Sequence, residues 1–170
     1  MNHIVMYEPL IPQNTGNIMR TCVATNSTLH LIKPLGFSLD DKYMRRPGLD
    51  YIKDLKLVIH ENYEAFIANT QGVYYFVTRY GTARPDTFDF THEEDVYLIF
   101  GKETTGVPKT ILKNHLDRCM RLPMTDKVRS LNVSNTAAIV IYEVLRQQGY
   151  PGLSAFEPEK FKGKDFLKEN

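Results

Sequence analysis

Residues 128–135, VRSLNVSN, set Arg129, Ser130, Asn132, Ser134 and Asn135 against the start of an almost unbroken apolar run, AAIVIYEV. Hydroxyl and amide side chains donate and accept hydrogen bonds but do little acid–base work. This is chemistry for holding a ligand, and Ser130 and Asn132 are the groups placed to hold one, while Ser134 reads as a helix cap. All five also have a purely structural use, in capping and turning the chain. A second stretch, FGKETTGVP (100–108), leaves an apolar run and enters a helical one. Gly101 and Gly106 have the spacing of a phosphate loop, but Val107 and Pro108 stand where a nucleotide triphosphatase needs Lys and a hydroxyl. That class is disfavoured, and no G-x-G-x-x-G occurs anywhere in the chain. A third stretch, YEPLIPQNTGNIMR (7–20), enters a helix with Asn14 or Thr15 as the expected cap. Asn17 and Arg20, three apart, share one helical face. Such a face suits an anion or a ribose hydroxyl, because Arg offers a planar donor fork; the plain alternative for Arg20 is a surface ion pair.

These stretches need elements to position them. Short apolar runs at 3–7, 29–33, 55–60, 73–78, 96–101 and 119–123 read as strands, since they are too short for helices and several lack polar alternation. Helical patterns at 14–26, 62–70, 108–116 and 135–149 lie between them. Strand–helix alternation predicts one α/β domain with a mainly parallel, buried sheet and flanking helices. All three polar stretches then follow strand ends, where open parallel sheets bind ligands. Residues 36–54 read as a polar, turn-rich excursion with one short helix. Residues 1–152 form the domain on this reading, and 153–170 a charged C-terminal tail.

With 170 residues and 42% hydrophobic content, the chain is long enough for one real core. Its net charge of +1 is too small to advertise a nucleic-acid partner, so an RNA site must be a local patch. Lys42, Arg45, Arg46, Arg79, Arg84, Lys127 and Arg129 fall near the expected loops and are the patch the sequence offers. Cys22 and Cys119 stand far apart with no paired His spacing, which predicts no metal site, no disulfide framework and a reducing cytoplasm. A Cys–His nucleophile is poorly supported for the same reason. The N-terminus lacks the pattern of an export signal, and no run approaches the length of a membrane span. Helix 135–149 is apolar most of the way round, which predicts burial on more than one side and hence a homodimer; a central helix in a monomer is the alternative.

Taken in order, NTGNIMR, LIFGKETTGVP and RLPMTDKVRSLNVSNTAAIVIYE resemble the three motifs of the SPOUT-class RNA methyltransferases, in their 2′-O-ribose branch. The match runs from Met1 to about Pro151. With no added RNA-binding domain, and with MRRPGLDY and YEVLRQQGYPG, the chain is similar to the small TrmL-like members, which methylate the wobble ribose of leucine tRNAs. The resemblance implies a deep trefoil knot within about 73–150, which general topology rules would not predict. It also implies that S-adenosyl-L-methionine binds between Val77 and Thr78, the second-motif residues Gly101, Glu103 and Gly106, and the third-motif residues Leu122, Pro123, Ser130, Leu131 and Asn132, largely through backbone groups. S-adenosyl-L-homocysteine would be the product.

On the same resemblance Arg20 and Tyr142 are the catalytic candidates. Arg20 is read as a positioner of ribose or phosphate, because guanidinium stays protonated. Tyr142 is an auxiliary acid–base or stacking group, or else a core or interface tyrosine. Asn14, Asn17, Arg45, Arg46 and Arg129 are the RNA-binding candidates, facing the anticodon stem–loop of a tRNA, and the two subunits of a dimer would build each RNA site together. The same chemistry on another RNA, or a knotted protein that binds RNA and cofactor without catalysis, are the competing readings.

Overall fold

A computed structural model describes residues 1–39, 50–92 and 94–168. Its sheet is built from β1 (Asn2–Tyr7), β2 (Thr28–Ile32), β3 (Lys56–His60), β4 (Val73–Val77), β5 (Val96–Phe100) and β6 (Cys119–Met120), in the spatial order β3-β2-β1-β5-β4-β6. Every pairing is parallel. Alternation along each strand sends Ile4, Met6, Leu29, Leu31, Leu98 and Phe100 to one core and Val5, Tyr7, Ile32, Phe76, Tyr97 and Ile99 to the other. Both faces of the inner strands are therefore covered, which is why those strands read as continuous apolar runs, while the edge strand β3 leaves Val58 and Ile59 exposed.

Among the described residues four α-helices join the sheet: α1 (Pro12–Ala24), α2 (Tyr63–Ala68), α3 (Lys109–Leu112) and α4 (Val133–Gln148). Helix α4 buries Ala137, Val140, Ile141, Val144 and Leu145 in the first core, where it packs against α1. Removing one such large side chain typically costs about 2–5 kcal/mol. Its other face carries Asn135, Ile139, Tyr142 and Arg146 at helical spacing, with Ile139 47% and Tyr142 48% exposed. So the helix is amphipathic in this chain, and its outward stripe is partly apolar.

Several expected boundaries shift. Strand β6 is two residues long instead of reaching 123, because the Arg121 amide turns to donate to the Ala83 carbonyl (2.9 Å). Helix α3 is one turn, ending where the chain turns into the 3₁₀ segment Leu116–Arg118. Helix α1 starts at Pro12 with no side-chain cap on Ile11, so neither Asn14 nor Thr15 caps it. Pro fits there because its missing N–H is unsatisfied in any first turn. Helix α4 is capped by Asn132, not Ser134: the Asn132 side chain accepts from the amides of Ser134 (2.9 Å) and Asn135 (3.4 Å). Of the long excursion, the described part ends in the short helical turn Asp50–Asp54. Lys42, Arg45 and Arg46 lie outside the described residues.

Candidate active site

The carboxyl ends of β1, β4, β5 and β6 open onto one cavity of about 600 Å³. Pockets of 300–1,000 Å³ hold drug-sized ligands. Val77 and Thr78 come to it from the end of β4, Gly101, Glu103 and Gly106 from the loop after β5, and Leu122, Ser130, Leu131 and Asn132 from the chain between β6 and α4. Three segments that the sequence separates widely thus meet, at the strand ends where parallel sheets bind ligands.

Local chemistry shapes each wall. The loop after β5 folds back on itself, with the Gly106 amide donating to the Lys102 carbonyl (2.9 Å). A Cβ on Gly101 would sit 2.2 Å from the Gly106 and Val107 backbone, and Gly106 has φ +73°. Both positions demand glycine, one for close approach and one for left-handed backbone. Glu103 then faces away from solvent chemistry into a frame. Its carboxylate accepts from the amides of Leu10 (2.9 Å) and Ile11 (3.1 Å) and from Asn14 Nδ2 (3.0 Å). This fixes the chain just ahead of α1 to the loop after β5. Asn14 is buried, and its Oδ1 accepts from Asn132 Nδ2 (2.9 Å). One chain of hydrogen bonds, Glu103–Asn14–Asn132–Ser134, therefore ties the three polar stretches together.

Cations stand around this frame. Lys102 is paired with Glu8, and burial together with the Glu8 hydrogen bond pushes the neighbouring Tyr7 phenol up to about 12. Arg79 and Arg121 also line the cavity and take part in no ion pair among the described residues. Tyr80, Thr104, Thr105, Met124, Val133 and Thr136 are further lining groups that sequence reasoning missed. Strand-end position was a signal for Tyr80, two residues past Thr78; for the others no local pattern marks them.

Not every expected residue reaches the cavity. Pro123 and Arg129 are exposed and off its wall, as are Asn17 and Arg20 on α1 and Tyr142 on α4. The Arg20 guanidinium lies over the Tyr51 ring, 4.8 Å from its centroid. Asn14, expected on the RNA side, lines the cavity with both ends of its amide engaged inside the chain. The two cysteines are buried thiols off the cavity wall, Cys119 Sγ donating to the His115 carbonyl (3.2 Å), and burial pushes Cys22 up to about 12.

The model of the SpoU rRNA Methylase family matches residues 1–142. The chain belongs to the SpoU methylase family. Two relatives of this SpoU methylase are similar over nearly their whole lengths. A Bacillus subtilis (strain 168) protein, provisionally named a tRNA (cytidine(34)-2′-O)-methyltransferase, is 55% identical over 89% of this chain and 96% of its own. The tRNA (cytidine(34)-2′-O)-methyltransferase of Escherichia coli (strain K12) is 44% identical over 89% and 97%. A solved structure described as "Structural insights into the 2-OH methylation of C/U34 on tRNA" superposes with TM-score 0.81 at 36% identity, covering 88% of this chain and 91% of that one. At 24% identity, the SpoU methyltransferase AviRb from Streptomyces viridochromogenes, solved in complex with AdoMet, shares the fold of this SpoU methylase (TM-score 0.73, 86% of this chain, 57% of that one).

Proposed function

We propose that this SpoU methylase transfers a methyl group from S-adenosyl-L-methionine to the 2′-hydroxyl of nucleotide 34 of tRNA, the wobble position, with leucine tRNAs as substrates. The observation that carries it is the junction of the three family stretches around one cavity. The family and the names of its relatives supply the reaction. The cavity residues fit the cofactor: Val77, Leu122 and Leu131 offer apolar surface, and the folded-back loop at 101–107 offers backbone groups. Bound there, the cofactor supplies an electrophilic methyl group in a reaction that needs alignment above all. Near-attack alignment alone can account for a large part of such an acceleration.

The chain's own residues then divide the work. Glu103, Asn14 and Asn132 hold three loops in register, so that the wall facing the cofactor is fixed before binding. Arg20 and Tyr142 lie outside this wall on the neighbouring helices α1 and α4. A homodimer packed through these helices, as the family resemblance implies, would bring them toward a partner's cavity, and the exposed Ile139 and Tyr142 give that packing an apolar surface. In this reading Arg20 positions ribose or phosphate, Asn17, Arg45, Arg46 and Arg129 contact the anticodon stem–loop, and the C-terminal half is threaded as a trefoil knot. The working compartment is the cytoplasm, where tRNA is found.

The test is transfer of labelled methyl to tRNA lacking its native ribose methylation, with the product nucleotide mapped. Label on the ribose of nucleotide 34, lost in Arg20→Ala at unchanged cofactor affinity, is the expected result. Incorporation only into ribosomal RNA, or none despite cofactor binding, would overturn it.

A further inference from the structure

Tyr80 is out of keeping with the other aromatic residues of the sheet. Tyr75, Tyr97, Phe76 and Phe100 are buried, whereas Tyr80 is 65% exposed and stands on the wall of the cavity. Exposure here does not mean looseness, because its segment is clamped between β4 and β6. The Thr78 amide donates to the Met120 carbonyl (2.9 Å), the Arg121 amide to the Ala83 carbonyl (2.9 Å), and the Arg121 guanidinium to the Arg79 carbonyl (3.1 Å). The Tyr80 amide donates to Thr78 Oγ1 (3.3 Å). Arg79 completes the arrangement: its guanidinium lies 4.7 Å from the Tyr80 ring centroid and donates to the phenol oxygen.

An exposed aromatic ring, backed by one guanidinium and flanked by a second, is a group of the kind that recognises single-stranded RNA. Unstacked bases pack on Tyr and Arg planes, and Arg side chains with donors to spare hold the adjoining phosphates. We infer that Tyr80 stacks against a base of the substrate RNA at the mouth of the cavity, with Arg79 and Arg121 on its phosphates. Tyr80 is then a positioning residue: it fixes a splayed nucleotide so that the ribose reaches the cavity. It also favours RNA whose bases near the target are unpaired. This rests on the function proposed above and adds to it a recognition element outside the three family stretches.

The experiment measures binding of a fluorescein-labelled anticodon stem–loop RNA to the full chain by anisotropy, in the presence of S-adenosyl-L-homocysteine, alongside methyl transfer and cofactor titration. Stacking contributes about 1–3 kcal/mol per base, so Tyr80→Ala should weaken RNA binding by about 5- to 150-fold and raise KM for RNA. Its cofactor affinity should stay at the wild-type value. Tyr80→Phe keeps the ring and should bind within about twofold of wild type, since a stack needs the face and not the hydroxyl. Arg79→Ala should lower the salt dependence of binding by about one counterion.

Unchanged RNA affinity in Tyr80→Ala overturns the inference, and so does a loss confined to cofactor affinity, which would put the ring on the cofactor. If the wild type binds the stem–loop through Tyr80 but transfers no methyl group, the proposed reaction fails and the stacking role stands. If it methylates nucleotide 34 and Tyr80→Ala does so with unchanged KM, the reverse holds.

Discussion

At the carboxyl ends of the strands, Glu103, Asn14 and Asn132 join loops that lie 89 and 118 residues apart in sequence. Under the other face of the sheet, His3, His30 and His60 join three adjacent strands, His3 Nδ1 to His30 Nε2 and His30 Nδ1 to His60 Nε2, each at 2.9 Å. Both are rows of polar side chains bonded to one another, and what surrounds them differs. The first borders a cavity and holds its walls. The second is enclosed by Phe66 and Tyr97, whose rings lie 5.9 and 5.6 Å from that of His30. At its end His3 Nε2 is 3.3 Å from Asp95 Oδ2 without a hydrogen bond's geometry. Burial beside two other imidazoles pushes His30 down to about 3, and burial lowers His3 and His60 as well. The same kind of bonding therefore serves preorganisation where it meets open space and pH-sensitive stability where it is sealed.

The contrast can be broken at either end. The largest effect is expected from Gly101→Ala, whose new Cβ has no room against the Gly106 and Val107 backbone. The second loop cannot close, and calorimetric titration should find cofactor binding lost, with the melting temperature lowered by several degrees. Next comes acidification. The three imidazoles are neutral in the fold and titrate near 6.5 when unfolded. Their contribution is complete above about pH 6.5 and is lost as pH falls from there toward 3, because the unfolded chain takes up protons that the folded one refuses. Urea denaturation should show stability dropping by a few kcal/mol between pH 7 and 4. His30→Phe should flatten that slope, while leaving cofactor affinity at pH 7 unchanged.

Glu103→Ala removes the acceptor of the exposed Leu10 and Ile11 amides, which water can meet, and of the buried Asn14 amide, an unmet donor of a kind that costs about 1–3 kcal/mol. A 10- to 100-fold fall in kcat/KM is expected, carried by weaker cofactor binding. Glu103→Gln turns one of the two accepting oxygens into a donor and should recover only part of the loss. The smallest effect separates two jobs of one residue. Asn132→Asp keeps the acceptor that caps α4 but cannot donate to Asn14, so melting should move little while cofactor affinity falls several-fold. Asn132→Ala loses both, adding about 1 kcal/mol of lost cap stability.

The strands of the described sheet are legible in the sequence, because burial of the inner ones on both faces leaves its mark in consecutive apolar residues, whereas the outward face of α4 and the shortness of α3 are not. Element ends are less legible. The sequence points to Asn14 or Thr15 as the cap of α1, yet neither caps it, and the amides just ahead of the helix donate to Glu103, a residue from the loop after β5. The sequence points to Ser134 as the cap of α4, and the cap is Asn132, two residues earlier, which accepts from the amides of Ser134 and Asn135. The cavity-lining stretches were legible only as family motifs, since backbone groups that face a ligand carry no side-chain signature. For Tyr80 the sequence offered only its place past a strand end and for Arg121 nothing toward the cavity, because their placement depends on β6 pairing with β4.

What the sequence by itself determined is therefore the alternation of strand and helix and, through its motifs, the family. Periodicity and composition are local, and each short segment reports them independently of the rest. The tertiary structure alone decided which strand ends share a cavity, that Glu103, Asn14 and Asn132 bond to one another, and that three histidines from β1, β2 and β3 touch. Those facts depend on strand order and register, which are fixed by the packing of distant segments and by no one segment alone.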